Sequence, residues 1–334
     1  MTASPLPLFL QLLADSKLQP GGVRLVFSEP EGDALPPQTE HPDNDAFTAF
    51  AACFPCLIDS KEALKLHPLH LQALLGKGCQ LPSSELIQRC DAPQKPVLSN
   101  KPLWLDGNWY QAPPAKPTDS QLASRTLALR LVQLVAADAD TREIEDVFRQ
   151  DPTLSYHLLR VVNSLNMGTN RRIASFSQAI LMLGRQQLRR WLNLMLFAPR
   201  PDDPRSAMLL AQVAVRARSM ELLARLAGLD RAMQELAFMA GMFSMLGILF
   251  GMSLTDLFKP LQMSDLLVDA VLRREGDTGQ LLQAVEFSEQ ADAQSLMGVL
   301  RGLRLTEDQF KRVNLEAHQW MRDMVRGTQE SAHG

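Results

Sequence analysis

Six histidines, four cysteines and one dense run of arginines are the residues with types and spacing that could do chemistry. The histidines are His41, His67, His70, His157, His318 and His333, and none is followed by Asp, so a metal-binding His-Asp pair is missing. His67 and His70 could meet on one helix face, but Pro68 breaks that geometry. His157 has no carboxylate or second histidine at i±3 or i±4, whereas a divalent metal needs three or four converging ligands. Cys53-x-x-Cys56 has the spacing of a zinc or redox pair. Apolar residues follow it, though, and Cys79 and Cys90 lie eleven positions apart, so buried thiols are the expectation. Asp202-Asp203 sits among prolines, and no Gly-rich phosphate loop or Gly-x-Ser-x-Gly elbow occurs. No catalytic residue, metal ligand or cofactor is assigned.

The arginines stand apart. Arg171, Arg172, Arg185, Arg189 and Arg190 fall within twenty residues, with Arg185 and Arg189 four apart on one helix face. Guanidinium suits bidentate contact with carboxylate or phosphate, so these five are the candidate partner-binding face. A solvated surface with local ion pairs is the plainer reading. Nucleic acid would call for interleaved stacking aromatics, which are few here. The formal charge is only −3, but residues 160–231 carry 12 arginines against 4 acids between two acidic flanks.

The elements that must position these residues divide the 334-residue chain in two. Apolar residues make up 46% and charged residues 21%, which excludes disordered, collagen-like and disulfide-framework classes. Prolines cluster at Pro96, Pro102, Pro113, Pro114 and Pro117, placing a junction near residues 112–120. Residues 1–115 read as a small α/β domain, with strands at Val23–Phe27 and Cys56–Ile58, an acidic loop at 29–46, and helices at 61–76 and 83–90. Residues 120–330 read as all helix. Capping boxes at Asp140/Glu143 and Ser175/Gln178, and Asp151-Pro152 as N-cap and N1, open the first helices. Further helices are expected at 186–198, 205–227, 231–250, 264–274, 278–290 and 306–326. Residues 236–255 carry no formal charge and include Gly247-x-x-x-Gly251, so the stretch is long enough for a membrane span. It lacks flanking basic or aromatic anchors, which favours a core helix. The N-terminus has no positively charged start of a signal peptide, and the few cysteines suit a reducing, cytoplasmic setting.

Asp151-Pro-Thr-Leu-Ser-Tyr-His-Leu-Leu-Arg-Val-Val-Asn-Ser164, Arg172 to Gly184 and Leu188-Arg-Arg-Trp-Leu192 together resemble an HDOD domain, the HD-related output domain of bacterial signalling proteins. Phe238-Met-Ala-Gly-Met-Phe-Ser-Met-Leu-Gly247 resembles the helix where true HD enzymes carry their His-Asp pair, and Ser244 and Met245 stand at that degenerate position. The resemblance covers residues 120–326. It implies an HDOD helical bundle, with 236–255 as its central, protein-surrounded helix and no membrane association. Ser and Met cannot replace a metal-binding imidazole and carboxylate, which argues against metal hydrolysis.

The Met-Phe-Ser variant, followed by Arg274-Glu-Gly276, is similar to the subgroup in which HDOD follows an EAL phosphodiesterase-like domain. Gly107-Asn-Trp-Tyr-Gln-Ala-Pro113 looks like the last strand and exit of such a domain. About 115 residues precede the junction, far fewer than a complete (β/α)₈ barrel needs, so the resemblance implies a shortened, degenerate EAL remnant. Glu62-Ala63-Leu64 spells the tripeptide of those enzymes, which place it on an inner barrel strand; here it falls in an amphipathic helix and is taken as chance. The expected function is therefore a non-catalytic regulator that binds other signalling proteins. The alternative is a sensor that holds cyclic di-GMP or another phosphorylated ligand without cleaving it.

Overall fold

A computed structural model describes residues 7–27, 44–92, 94, 96, 104–114, 203–259 and 263–330, with a few single positions between 130 and 197. The capping boxes at Asp140/Glu143 and Ser175/Gln178 and the motif segments 151–164 and 172–184 lie outside the described residues, apart from Glu143 itself.

The N-terminal part is one mixed sheet. Its strands are β1 (Phe9–Ala14), β2 (Pro20–Val26), β3 (Cys56–Leu57), β4 (Ile87–Arg89) and β5 (Trp104–Asp106), in the order β3-β2-β1-β5-β4. β1 runs antiparallel to both neighbours, with Gln11 opposite Arg24 and Ala14 opposite Leu105. The outer pairs are parallel, with Arg24 beside Leu57 and Arg89 beside Asp106. Asp15 turns the chain between β1 and β2 by accepting the amides of Lys17 and Gln19 at 2.8 and 2.9 Å.

The expected strands at 23–27 and 56–58 match β2 and β3, but two features differ. β1 has no apolar–polar alternation because both its faces are buried, so its run of leucines hides its period. The segment 83–90, expected as a helix, is a short turn leading into β4, where the parallel partner β5 supplies backbone hydrogen bonds that helix propensity does not anticipate. Three helices, α1 (Asn44–Cys53), α2 (Ser60–Leu64) and α3 (Pro68–Gly76), alternate with the strands of this sheet along the chain. Pro68 splits the expected helix 61–76 into two, and the His67 ring caps α3 by accepting the Leu69 amide.

The C-terminal part is helical: α4 (Ser206–Leu226), α5 (Arg231–Phe243), α6 (Leu246–Phe250), α7 (Leu254–Phe258), α8 (Asp265–Val268) with a π-helical turn at Asp269–Arg273, α9 (Gly276–Glu289), α10 (Ala293–Gly302) and α11 (Glu307–Glu330). α4 is buried on nearly every side and packs against α5, α9 and α11, which makes it the axis of the bundle. α10 was not anticipated; Asp292 caps it through the Ser295 amide at 3.0 Å.

The expected single helix 231–250 breaks at Ser244-Met245. Arg231–Phe250 is long and apolar enough to cross a membrane, yet 61% of its most apolar window is buried inside this fold. Gly251 is not part of a helix-packing pair with Gly247. It ends α6 in the left-handed region (φ 63°), and a Cβ there would meet the Pro114 ring at 2.8 Å.

One continuous hydrophobic core joins both parts. Leu8, Phe9 and Leu10 of the sheet belong to the same buried cluster as Met208 on α4 and Phe310 and Met321 on α11. Phe9 and Phe310 meet edge to face at 6.5 Å. Directed hydrogen bonds fix the register across this seam: Asn314 Nδ2 donates to Leu8 O at 3.1 Å, and Tyr110 Oη donates to Gln212 Oε1 at 3.0 Å.

Candidate functional site

Between the sheet and the helices lies a cavity of about 670 Å³. The sheet contributes polar residues from the carboxyl ends of its parallel strands: Arg24 on β2, Arg89 and Asp91 at β4, and Asp106, Gly107 and Asn108 at β5. Gln11 joins them from β1. That end of a parallel sheet is where ligand crevices form, because the loops there diverge. Gly107 is required in place: its φ is 97°, and a Cβ would come within 2.1 Å of Cys90 O.

The facing wall is built on helices. Gln212, Arg216 and Ser219 come from α4, Ser244 from the α5–α6 break, and Glu286 and Glu289 from α9. Asn314 and His318 of α11 and the apolar Ile248, Val285 and Phe310 complete it. Burial pushes His318 down to about 4, against the upward pull of hydrogen bonds to the Asn314 and Leu10 backbone, so its imidazole is neutral near pH 7.

Ser244 and Met245, singled out from the sequence, face opposite ways. Met245 is fully buried in the core, while Ser244 ends α5 and reaches the cavity. Ser244 Oγ donates to Gly241 O at 2.7 Å and accepts Arg216 Nη1–H at 2.7 Å. Arg216 also donates from Nε to Glu289 Oε1 at 2.8 Å and from Nη2 to Glu289 Oε2, a bidentate pair, with Glu286 3.9 Å away. Burial works against the Arg216 charge, but Glu289 and then Glu286 outweigh it and hold the guanidinium above its usual range. Arg274 neutralises Glu286 from the other side at 2.7 Å. A permanent cation therefore sits at the degenerate position.

The sheet wall is less tightly matched. Arg24 donates to Asp59 Oδ2 at 3.0 Å and to Gln11 Oε1. Its Nε lies 3.4 Å from Asp106 Oδ2 but has no acceptor in hydrogen-bonding geometry among the described residues. Arg89 Nη1 is 3.6 Å from the same carboxylate oxygen and pairs directly with Asp91 at 2.8 Å.

Of the five arginines expected to form a binding face, Arg171, Arg172, Arg185 and Arg189 lie outside the described residues. Arg190 is a correction. Its side chain is only 12% exposed, donates to Glu221 at 2.7 Å and Glu235 at 2.8 Å, and lies 4.6 Å over the Phe238 ring. It is committed inward because α4 and α5 each present it with a glutamate.

Glu62 lies on helix α2, as the sequence suggested. There it caps the end of β2 by accepting the Phe27 amide at 2.9 Å. Asp203 pairs with Arg205 at 2.8 Å. Cys53 is exposed at the end of α1 and Cys56 is buried on β3, so the two thiols occupy different environments. A hydrogen bond with Cys79 and burial push the Cys56 thiol up. Among the described residues, no three His, Cys, Asp or Glu side chains converge as metal ligands. Arg24, Arg216 and Glu289, the best-defined polar groups of the cavity, were missed by sequence reasoning. They stand more than 20 residues apart in the chain and form no motif.

Residues 123–262 match the family model of the HDOD domain. The chain carries an HDOD domain. The match includes α4, α5 and the Ser244-Met245 break, so Arg216 lies within the HDOD segment and Glu289 beyond its end. Relatives extend the match. "Cyclic di-GMP phosphodiesterase CdgJ" of Vibrio cholerae serotype O1 is 31% identical over 205 residues, covering 60% of this chain and 46% of that protein. "Uncharacterized protein YuxH" of Bacillus subtilis strain 168 is 24% identical over 197 residues, covering 58% and 47%. The chain thus spans about half the length of these relatives. A crystal structure of an HDOD domain protein from Geobacter sulfurreducens aligns with a TM-score of 0.42 at 17% identity, covering 65% of this chain and 93% of that one.

Proposed function

We propose that the chain is a non-catalytic signalling regulator that works through protein recognition by its HDOD domain. The observation that carries this reading is Arg216, a buried guanidinium hydrogen-bonded to Ser244 and paired with Glu289. A fixed positive charge repels a divalent cation, and the hydroxyl and thioether of Ser244 and Met245 are poor substitutes for imidazole and carboxylate. The proposed contact face is Arg171, Arg172, Arg185 and Arg189, with Arg190 withdrawn because its charge is spent inside the fold. Output would be governed by how the N-terminal sheet packs on the bundle, since the two share a core.

The N-terminal sheet is proposed to be the shortened EAL remnant. Its support is topological: the last strand, β5, lies beside the first, β1, as the end strands of a (β/α) barrel do, although here β1 runs antiparallel to both neighbours where a complete (β/α)₈ barrel is all parallel. Among the described residues β4 is an outer strand, and β3 continues beyond β2 only through a parallel bridge from Leu57 to Gln80.

Purified protein incubated with Mn²⁺ or Mg²⁺ is expected to leave cyclic di-GMP and p-nitrophenyl phosphate intact. It should also retain a defined protein partner from nuclease-treated lysate, and Arg171→Glu/Arg189→Glu should release that partner without altering the circular dichroism. Metal-dependent turnover would overturn the non-catalytic reading, and unchanged capture by the double variant would overturn the arginine face.

A further inference from the structure

We propose that Cys56 and Cys79 form a reversible disulfide when the protein meets a hydroperoxide, which makes the β3 side of the N-terminal sheet a redox-modification site. The Cys53-x-x-Cys56 spacing suggests a different pair, but Cys53 ends α1 and is exposed while Cys56 is fully buried on β3. The fold brings Cys79 to Cys56 instead. Gln80 N donates to Cys56 O at 2.8 Å and Ile58 N donates to Gln80 O at 2.9 Å, a parallel bridge that sets Gln80 beside Leu57. One residue back on both segments, Cys79 stands beside Cys56, and the two thiols are hydrogen-bonded to each other. Neighbouring strands lie about 4.8 Å apart, within the about 4.4–6.8 Å between Cα atoms that a disulfide spans.

The two sulfurs are prepared for different roles. Cys56 is held as a thiol by its contact with Cys79 and by burial, with its Sγ also 3.4 Å from Phe54 O. The same contact holds the Cys79 thiol below its usual range, against burial and with help from the Lys77 ammonium. Cys79 is also the reachable one. It keeps 5% exposure in the turn that leaves α3, between exposed Gly78 and exposed Gln80, where local opening leaves the core intact. The Cys79 sulfur attacks one oxygen of the hydroperoxide and breaks the O–O bond, leaving a sulfenic acid and releasing water or an alcohol. The Cys56 sulfur then attacks the Cys79 sulfur; its proton leaves with the sulfenic hydroxyl as water, and the S–S bond forms. The two thiols give up two electrons, the O–O bond takes them, and a dithiol reductant reverses the change. The closed loop carries Asp59, paired with Arg24 at 3.0 Å, and Glu62, which accepts the Phe27 amide at 2.9 Å. Oxidation therefore ties down the segment that fixes the end of β2. This inference goes beyond the regulatory reading and holds equally if the protein proves to be catalytic.

The test uses the full chain, reduced and then treated with hydrogen peroxide below the dose that alters its circular dichroism. Peptide mapping with fragmentation, without reduction, should find Cys56 joined to Cys79, lighter by two hydrogens and released by dithiothreitol. In Cys56→Ser the reaction should stop one step earlier, with dimedone trapping a sulfenic acid at Cys79. If that variant failed to fold, the wild-type map alone would decide. The proposal is overturned if Cys56 is found joined to Cys53. It is equally overturned if both Cys56 and Cys79 are still alkylated as thiols when the peroxide-treated protein is denatured.

Discussion

The bundle and the sheet bury charge in opposite styles. In the bundle, Arg216 and Arg190 are each met by carboxylates in close hydrogen bonds, and Arg216 takes a serine hydroxyl as well. In the sheet, Asp106 sits 3.4 and 3.6 Å from two guanidiniums without a tight bond to either; an unmatched Nε–H occurs on both sides, at Arg24 and at Arg218 of α4. The same seam therefore has a tightly paired wall and a loosely paired one.

The sharpest way to break that contrast is Arg216→Met. It leaves the half-buried Glu289 without its bidentate partner and should cost about 3 kcal/mol in urea unfolding. The double variant Arg216→Met/Glu289→Leu should recover much of that loss, because neither charge is then left alone. A loss below about 1 kcal/mol in the single variant would mean that the pair is solvated and the tightly paired wall is not what the geometry suggests.

A second expectation concerns pH. His318 titrates near 4 in the fold against about 6.5 when unfolded, so the unfolded chain binds the extra proton between those values. Stability from this group is full above about pH 6.5 and is lost as pH falls toward 4, by roughly 3 kcal/mol in total. Urea midpoints from pH 7 to 4.5 should fall steeply in wild type and less steeply in His318→Gln. An equal slope in both would place the pH sensitivity elsewhere, in the carboxylates of the ion pairs.

Much of the bundle was legible because helices announce themselves locally. α4, α9 and α11 begin and end within a few residues of the positions expected from period and caps. The sheet was harder: β1 is buried on both faces and β4 is three residues long, so neither has a readable alternation. The break at Ser244-Met245 was hidden in an uninterrupted apolar run. Local charge density also misled at Arg190. An arginine-rich stretch looks outward-facing until the glutamates that claim it, Glu221 and Glu235, are brought in from 31 and 45 residues away. The cavity has the same origin, since its walls meet only through tertiary packing.

Arg190 gives a middle-sized effect. Arg190→Met should cost about 2 kcal/mol, less than Arg216 because Glu221 retains Arg218 at 2.7 Å and Glu235 is partly solvated. A neutral outcome would return Arg190 to the candidate binding face.

The smallest effect is expected at Asp106→Asn, where the comparison is most exposed to failure. Asparagine can still accept the Gly107 amide, now held by Asp106 Oδ1 at 2.8 Å, and Arg24 keeps Asp59 and Gln11. Asp106 is buried but makes no close ion pair, so removing its charge from beside Arg24 and Arg89 should cost about 1–2 kcal/mol in unfolding stability. If Asp106→Asn instead costs as much as Arg216→Met, the sheet wall is as tightly paired as the bundle wall and the contrast between them fails.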